Sequence, residues 1–126
     1  MAIKILAVFL GGAFGSVGRF GVYFLLEQKY HLHKFWATLS VNILGSFLIG
    51  IVWAILSGYK NATTWQLLLM TGFLGGFTTF SAFSLDVLDL FRGGEIKQAV
   101  FYVAASLIGS LVMIFCAYYL VKWIRG

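Results

Sequence analysis

Residues 75–86 read GGFTTFSAFSLD, so Thr78, Thr79, Ser81 and Ser84 are interleaved with Phe80 and Phe83 behind the paired glycines Gly75 and Gly76. Hydroxyls donate and accept hydrogen bonds without carrying charge. A phenyl ring has a positive edge that attracts an anion, while its apolar body keeps bulk water away. Phe80 and Phe83 lie three residues apart, so on a helix they share a face. Together these groups describe a narrow route for a small anion that sheds its water and accepts hydrogen bonds strongly. A lysine-lined pore would hold such an ion too tightly to release it.

Two more polar rows run through apolar sequence. Thr38, Asn42 and Ser46 recur every four residues, and so do Tyr102, Ser106 and Ser110, which puts each set on one helical face. A serine there is readily satisfied by the carbonyl one turn back. Asn42 is different, because its amide has two donors and two acceptor sites that its own helix cannot all use. It either bonds two helices together or aims a donor into a polar pathway. Arg19 poses a similar choice: it snorkels to the interface, or its charge faces a water-filled vestibule.

The elements that carry these residues follow from composition. The chain has 126 residues, is 61% hydrophobic and contains no proline, with a mean hydropathy of +0.96. So much apolar surface requires lipid as part of the solvent. Four apolar runs, at about 5–26, 35–57, 65–85 and 99–121, are long enough to cross a hydrocarbon core, which takes roughly 20 residues. The expected organisation is one all-α, four-span domain over residues 1–126. Its spans are placed at about 5–26, 35–57, 65–91 (broken near 75–79) and 96–122. The N-terminus MAIKILAVFLGG sets Lys4 before an apolar run, as a signal peptide does. The run continues to Leu26 without a small-x-small site, so it is read as a retained span.

Gly11 and Gly15 form a G-x-x-x-G pair with Gly18 near the same stripe, a pattern that lets helix backbones approach closely. In the third span, Gly72, Gly75, Gly76, Thr78 and Thr79 weaken the helix. Either the helix stays intact at a close glycine crossing, or it opens. An opening frees carbonyls on one side and amides on the other, and needs shielding by protein or a cavity.

Several functions are disfavoured. Nine basic residues against four acidic ones give a net charge of +5, but they are spread over both membrane faces, which suits anionic headgroups better than nucleic acid. The lone Cys116 implies neither a disulfide nor a metal site and reads as a packed thiol. His31 and His33 share a short loop with no carboxylate at ligand spacing and read as solvated. No nucleophile–base pair or nucleotide-binding loop stands out, so an enzyme is not expected. The alternative is a proton-coupled exporter of the small multidrug type, which needs a carboxylate deep in the membrane. Glu27, Asp86, Asp89 and Glu95 are all placed at span ends or in loops. A purely structural subunit would leave the matched polar rows unexplained.

Orientation can be read from charge as well. Lys4, Lys60, Lys122 and Arg125 fall on one side of the membrane, and Lys29, Lys34, Arg92 and Lys97 on the other. Four against four gives no bias, so insertion both ways is expected. That would supply an antiparallel partner, since four helices are too few to enclose a pore alone.

Three segments in order, GGAFGSVGRF (11–20), TLSVNILGSFLIG (38–50) and GGFTTFSAFSLD (75–86), resemble the Fluc or CrcB family of small bacterial fluoride channels. The resemblance covers nearly the whole chain. It departs at Phe20, where tyrosine is common, and at Asp86, where glutamate is common. It implies an antiparallel, dual-topology homodimer in the bacterial inner (plasma) membrane, with two separate pores that passively export toxic fluoride from the cytoplasm. Phe80 and Phe83 would touch the ion with their ring edges, Asn42 would donate to it, and Thr79 and Ser81 would lie beside them. Tyr102, Ser106 and Ser110 would form a polar track. Arg19 would draw anions into an aqueous vestibule shared by Thr38. A structural Na⁺ at the dimer axis would be held by the backbone carbonyls of Gly75 and Thr78. The implied partners are fluoride, lipid and a second copy of the chain, with no nucleic acid.

Overall fold

The computed structural model describes residues 1–126 and is entirely helical. α1 (Ala2–Tyr23) runs on into a π-wound stretch, Phe24–Lys29, and α2 spans Lys34–Leu56. The third span is composite: α3 (Thr63–Gln66), a π-wound stretch (Leu67–Leu74), α4 (Gly75–Phe77) and α5 (Phe80–Arg92). α6 (Ile96–Arg125) closes the chain. Four helical segments, Ala2–Lys29, Lys34–Leu56, Thr63–Arg92 and Ile96–Arg125, are long and apolar enough to cross a membrane. Three of them outrun the hydropathy limits, because backbone bonding continues where the side chains turn polar. At 30 residues, α6 is about 45 Å long and exceeds a core of about 30 Å.

The spans associate as two parallel pairs. α1 lies along the first half of the third span, and the glycines of both make this possible. A Cβ on Gly11 would meet the Leu68 carbonyl, one on Gly15 the Phe73 carbonyl, and one on Gly76 would sit 2.7 Å from the Gly12 carbonyl. No side chain larger than hydrogen fits between these backbones. α2 and α6 form the second pair, with Gly50 against Ile114 and Ala117, and Gly109 against Ile43. Arg125 fixes their common end by donating to the Ala54 and Ile55 carbonyls at 3.2 and 3.3 Å. These are among the last carbonyls of α2, which a cation satisfies well.

α5 joins the second pair. Phe83 and Leu90 on α5 pack with Phe35 and Leu39 on α2 and with Ala99 and Tyr102 on α6. Gly94, at φ 77°, then stops α5 while the Glu95 N–H bonds the Leu90 carbonyl at 2.9 Å. Glycine takes that left-handed conformation without penalty.

Candidate functional site

Between Phe77 and Phe80 the chain leaves helical geometry. Thr78 (φ −85°, ψ 161°) and Thr79 (φ −157°, ψ 121°) are extended. Each of their polar groups has a defined partner. The Thr78 N–H and hydroxyl both donate to the Leu74 carbonyl, at 2.9 and 2.8 Å. The Thr78 carbonyl accepts from Arg19 Nη1 at 3.2 Å. The Thr79 hydroxyl caps α5 by accepting from the Ala82 N–H at 3.1 Å and also meets Ser81 Oγ at 3.2 Å. Asn42 takes both remaining groups: Nδ2 donates to the Thr79 carbonyl at 2.9 Å, and the Thr79 N–H donates to Oδ1 at 2.8 Å. In a continuous helix the Thr79 N–H would serve the Gly75 carbonyl; here that carbonyl is released.

Two clefts flank this extended pair. One is a groove of about 450 Å³ that brings Asn42, Ser46, Thr79, Phe80, Phe83, Ser106 and Ser110 together from three spans. Ser46 is self-satisfied, donating to the Asn42 carbonyl at 2.7 Å. Ser106 is not: its hydroxyl is buried and has no partner. The rings of Phe80 and Phe83 sit 5.4 Å apart at 44°. Phe83 is buried at 8% exposure, whereas Phe80 is 73% exposed and forms an outward wall. The second cleft, about 730 Å³, is lined by Ser16, Arg19, Tyr23, Glu27, Thr79 and Ser81. Arg19 therefore reaches both an aqueous-sized space and the Thr78 carbonyl.

The expected residues do not all fall in these clefts. Thr38 is fully buried and lines neither. It is hydrogen-bonded to Tyr23, whose ring borders the Arg19 cleft, and donates to Asp86 Oδ2 at 2.6 Å. Tyr102 is fully buried as well, packed between Phe35 and Phe83 with both ring centroids 5.2 Å away and the rings tilted at 52° and 53°. Its hydroxyl donates to the same Asp86 oxygen at 3.1 Å. The polar row on α6 thus divides, with Ser106 and Ser110 in the groove and Tyr102 behind it.

Asp86 corrects the placement of the acidic residues. The hydropathy falls there, which suggests a loop, but α5 continues for almost two more turns and turns Phe83, Asp86 and Leu90 inward. Asp86 is only 3% exposed and carries the bonds from Thr38 and Tyr102 together with an ion pair to Lys34 at 3.4 Å. The helical spacing of Phe83, Asp86 and Leu90 was a usable signal for this inward face. So was the placement of Lys34 and Thr38 one turn apart on α2. Cys116 also differs from expectation: it is exposed on α6, while its neighbour Ala117 takes the close contact with Gly50. His33 lies at the surface and caps α2, accepting from the Phe35 N–H at 3.4 Å.

Fold and clefts define a small multi-pass helical membrane protein whose third span is interrupted beside a hydroxyl-lined, phenyl-walled groove. The chain belongs to the CrcB family: the family model described as CrcB-like protein, Camphor Resistance (CrcB), matches residues 6–118. Among similar proteins is the fluoride-specific ion channel FluC of Serratia proteamaculans, 44% identical over 100% of this chain and 99% of that protein. FluC of Parabacteroides distasonis is 45% identical over 90% of this chain and 88% of its own. FluC of Rhizobium etli is 46% identical over 90% and 91%.

Proposed function

We propose that the protein is a passive fluoride channel, a transporter and not an enzyme, which lets fluoride leave the cytoplasm across the bacterial inner membrane. One observation carries this reading. The groove holds uncharged donors beside two phenyl rings, among them a buried Ser106 hydroxyl with no partner and a second Asn42 Nδ2 proton left over after Thr79 is served. A buried donor without an acceptor is unfavourable by about 1–3 kcal/mol, and a small, strongly accepting anion would relieve it. The N-terminal amides of α5 add partial positive charge where the ion would pass Thr79. Arg19, in the neighbouring cleft, would concentrate anions without binding them inside the route.

The groove is open on the side where Phe80 faces outward. A second, oppositely inserted copy would close it, with its own Phe80 and Phe83 completing the wall. The even distribution of basic residues between the two sides supports insertion both ways. The fit of a structural Na⁺ can be judged from the donors. The Gly75 carbonyl is released and the Thr78 carbonyl already faces a cation, the Arg19 guanidinium. Neutral carbonyl oxygens at an unwound segment suit Na⁺. Two from one chain are too few for an alkali ion, so the site would need both copies. Bound there, Na⁺ would supply fixed positive charge that ties the two interruptions together.

A proton-coupled exporter must be weighed again, because Asp86 is a buried carboxylate. Asp86 lies two turns from the end of the third span and is engaged by Thr38, Tyr102 and Lys34, so it is not free to exchange a proton for a cation. Fluoride release from proteoliposomes, followed with a fluoride electrode, tests the mode of transport. Release should proceed down the fluoride gradient without ATP or a pH gradient. Release that requires an imposed proton gradient would establish coupled export instead.

A further inference from the structure

The Asp86 cluster sits where an anion route along Phe83 should be least hospitable. Phe83 lines the groove and packs on Tyr102, and the Tyr102 hydroxyl points at Asp86. Asp86 is one helical turn beyond Phe83 on the same inward face of α5. An anion that passes the rings therefore approaches a buried carboxylate. In a medium of low effective dielectric, an unpaired charge at such distances acts strongly. The compensating cation is Lys34, the first residue of α2. Its ammonium lies 3.4 Å from Asp86 Oδ1 and 2.6 Å from Asp89 Oδ2, and its side chain is 35% exposed. Thr38 and Tyr102 hold the other Asp86 oxygen but carry no charge.

We propose that Lys34 is the charge-compensating residue of the anion route: its single charge, shared between Asp86 and Asp89, offsets part of the negative charge beyond Phe83 and Tyr102 and keeps that end of the route passable for fluoride. This rests on the channel reading above. Lys34 works through Asp86, so what matters is the sign of the charge at position 34 and not the shape of the side chain. The exposed bond from the same ammonium to Asp89 also ties the start of α2 to the last turns of α5.

The test separates charge from packing and from membrane orientation. In a Lys34→Cys, Cys116→Ala background, purified protein in liposomes is modified with thiosulfonates carrying either an ammonium or a sulfonate. Both adducts are added after folding and insertion, so neither alters topology. Fluoride efflux with the cationic adduct should exceed that with the anionic one by roughly tenfold or more, as expected for a single charge near the path. Equal efflux for the two adducts would overturn the proposal. Should the cysteine protein fail to reconstitute, simple variants decide. Lys34→Arg should keep efflux, Lys34→Met should lose it, and Lys34→Met with Asp86→Asn should recover it. Lys29→Gln removes a charge from the same end of the molecule without touching Asp86 and should behave as wild type. If Asp89→Asn reproduces the loss of Lys34→Met while the double variant stays inactive, Lys34 is only a tie between helices. Wild-type efflux and its block by Phe80→Ile are read in the same series. Their failure would remove the channel reading itself, whereas their success with equal adducts would remove only the role of Lys34.

Discussion

The side chain of Asn42 pairs with the backbone of Thr79 as a neighbouring strand would, donating to its carbonyl at 2.9 Å and accepting from its N–H at 2.8 Å. An extended residue at bilayer depth must have its polar groups satisfied by protein or by a lined cavity. One side-chain amide does this for both. Asn42 is therefore glue between helices, and one of its two Nδ2 protons is not used in these bonds.

Asn42→Ala leaves both Thr79 groups unpaired, at about 1–3 kcal/mol each. Thermal unfolding in detergent should show a clearly lowered midpoint. Asn42→Asp retains the acceptor for the Thr79 N–H but donates nothing when ionised, and its charge repels anions. Fluoride efflux from Asn42→Asp liposomes should be abolished, and normal efflux would remove Asn42 from the route.

Phe80→Ile and Phe83→Ile each keep an apolar side chain but lose the ring edge. Both should cut fluoride efflux severely. Their stabilities should differ, because Phe80 is exposed on the single chain and Phe83 is packed on Tyr102. Phe83→Ile should destabilise by about 1–1.5 kcal/mol as a change of core shape, while Phe80→Ile should matter only where a second copy covers it. Two conducting variants would make the rings packing residues.

Gly15→Ala drives a methyl group into the Phe73 carbonyl, whereas a Cβ on Gly21 meets nothing within 4 Å. Overpacking of this kind costs about 1–3 kcal/mol. The expected outcome is a sharp loss of folded protein for Gly15→Ala and none for Gly21→Ala, read by size exclusion and thermal melting. Equal behaviour would mean that α1 does not pack on the third span in this way.

Reporters fused to the C-terminus should be active on both sides of the membrane, because four basic residues lie on each side. Reporter activity confined to one side would contradict insertion in both orientations. Two or three lysines added to the connection between Lys29 and Lys34 should fix one orientation and abolish efflux. Co-expression of an oppositely biased variant should restore it.

How much was legible in the sequence varied with the kind of signal. The spans could be read because lipid-facing length is written directly in hydropathy. The glycines of α1 announced a close backbone approach, and their partners proved to be the π-wound stretch and Gly76. The groove residues Asn42, Ser106 and Ser110 could be found from their spacing on helical faces. Thr38 and Tyr102 could not be separated from those rows, since periodicity gives a face but not what lies opposite it. Asp86 was hidden because a charged residue lowers local hydropathy whether or not it is buried. Its helical spacing with Phe83 and Leu90 was the signal of an inward face, and the contacts with Thr38, Tyr102 and Lys34, drawn from two other helices, show what it meets there. Tyr23 was missed for the same reason, being a polar aromatic at a span end whose partner is 15 residues away.

Selectivity is the central claim, because a groove of neutral donors and ring edges should favour a small, hard anion over a larger one. The direct measurement is fluoride against chloride efflux from the same proteoliposomes, under a potassium–valinomycin shunt, with Phe80→Ile as the blocked control. Fluoride should leave rapidly while chloride is retained, and both should be retained in the control. Chloride leaving as fast as fluoride, or fluoride leaving through Phe80→Ile as through the wild type, would contradict the account.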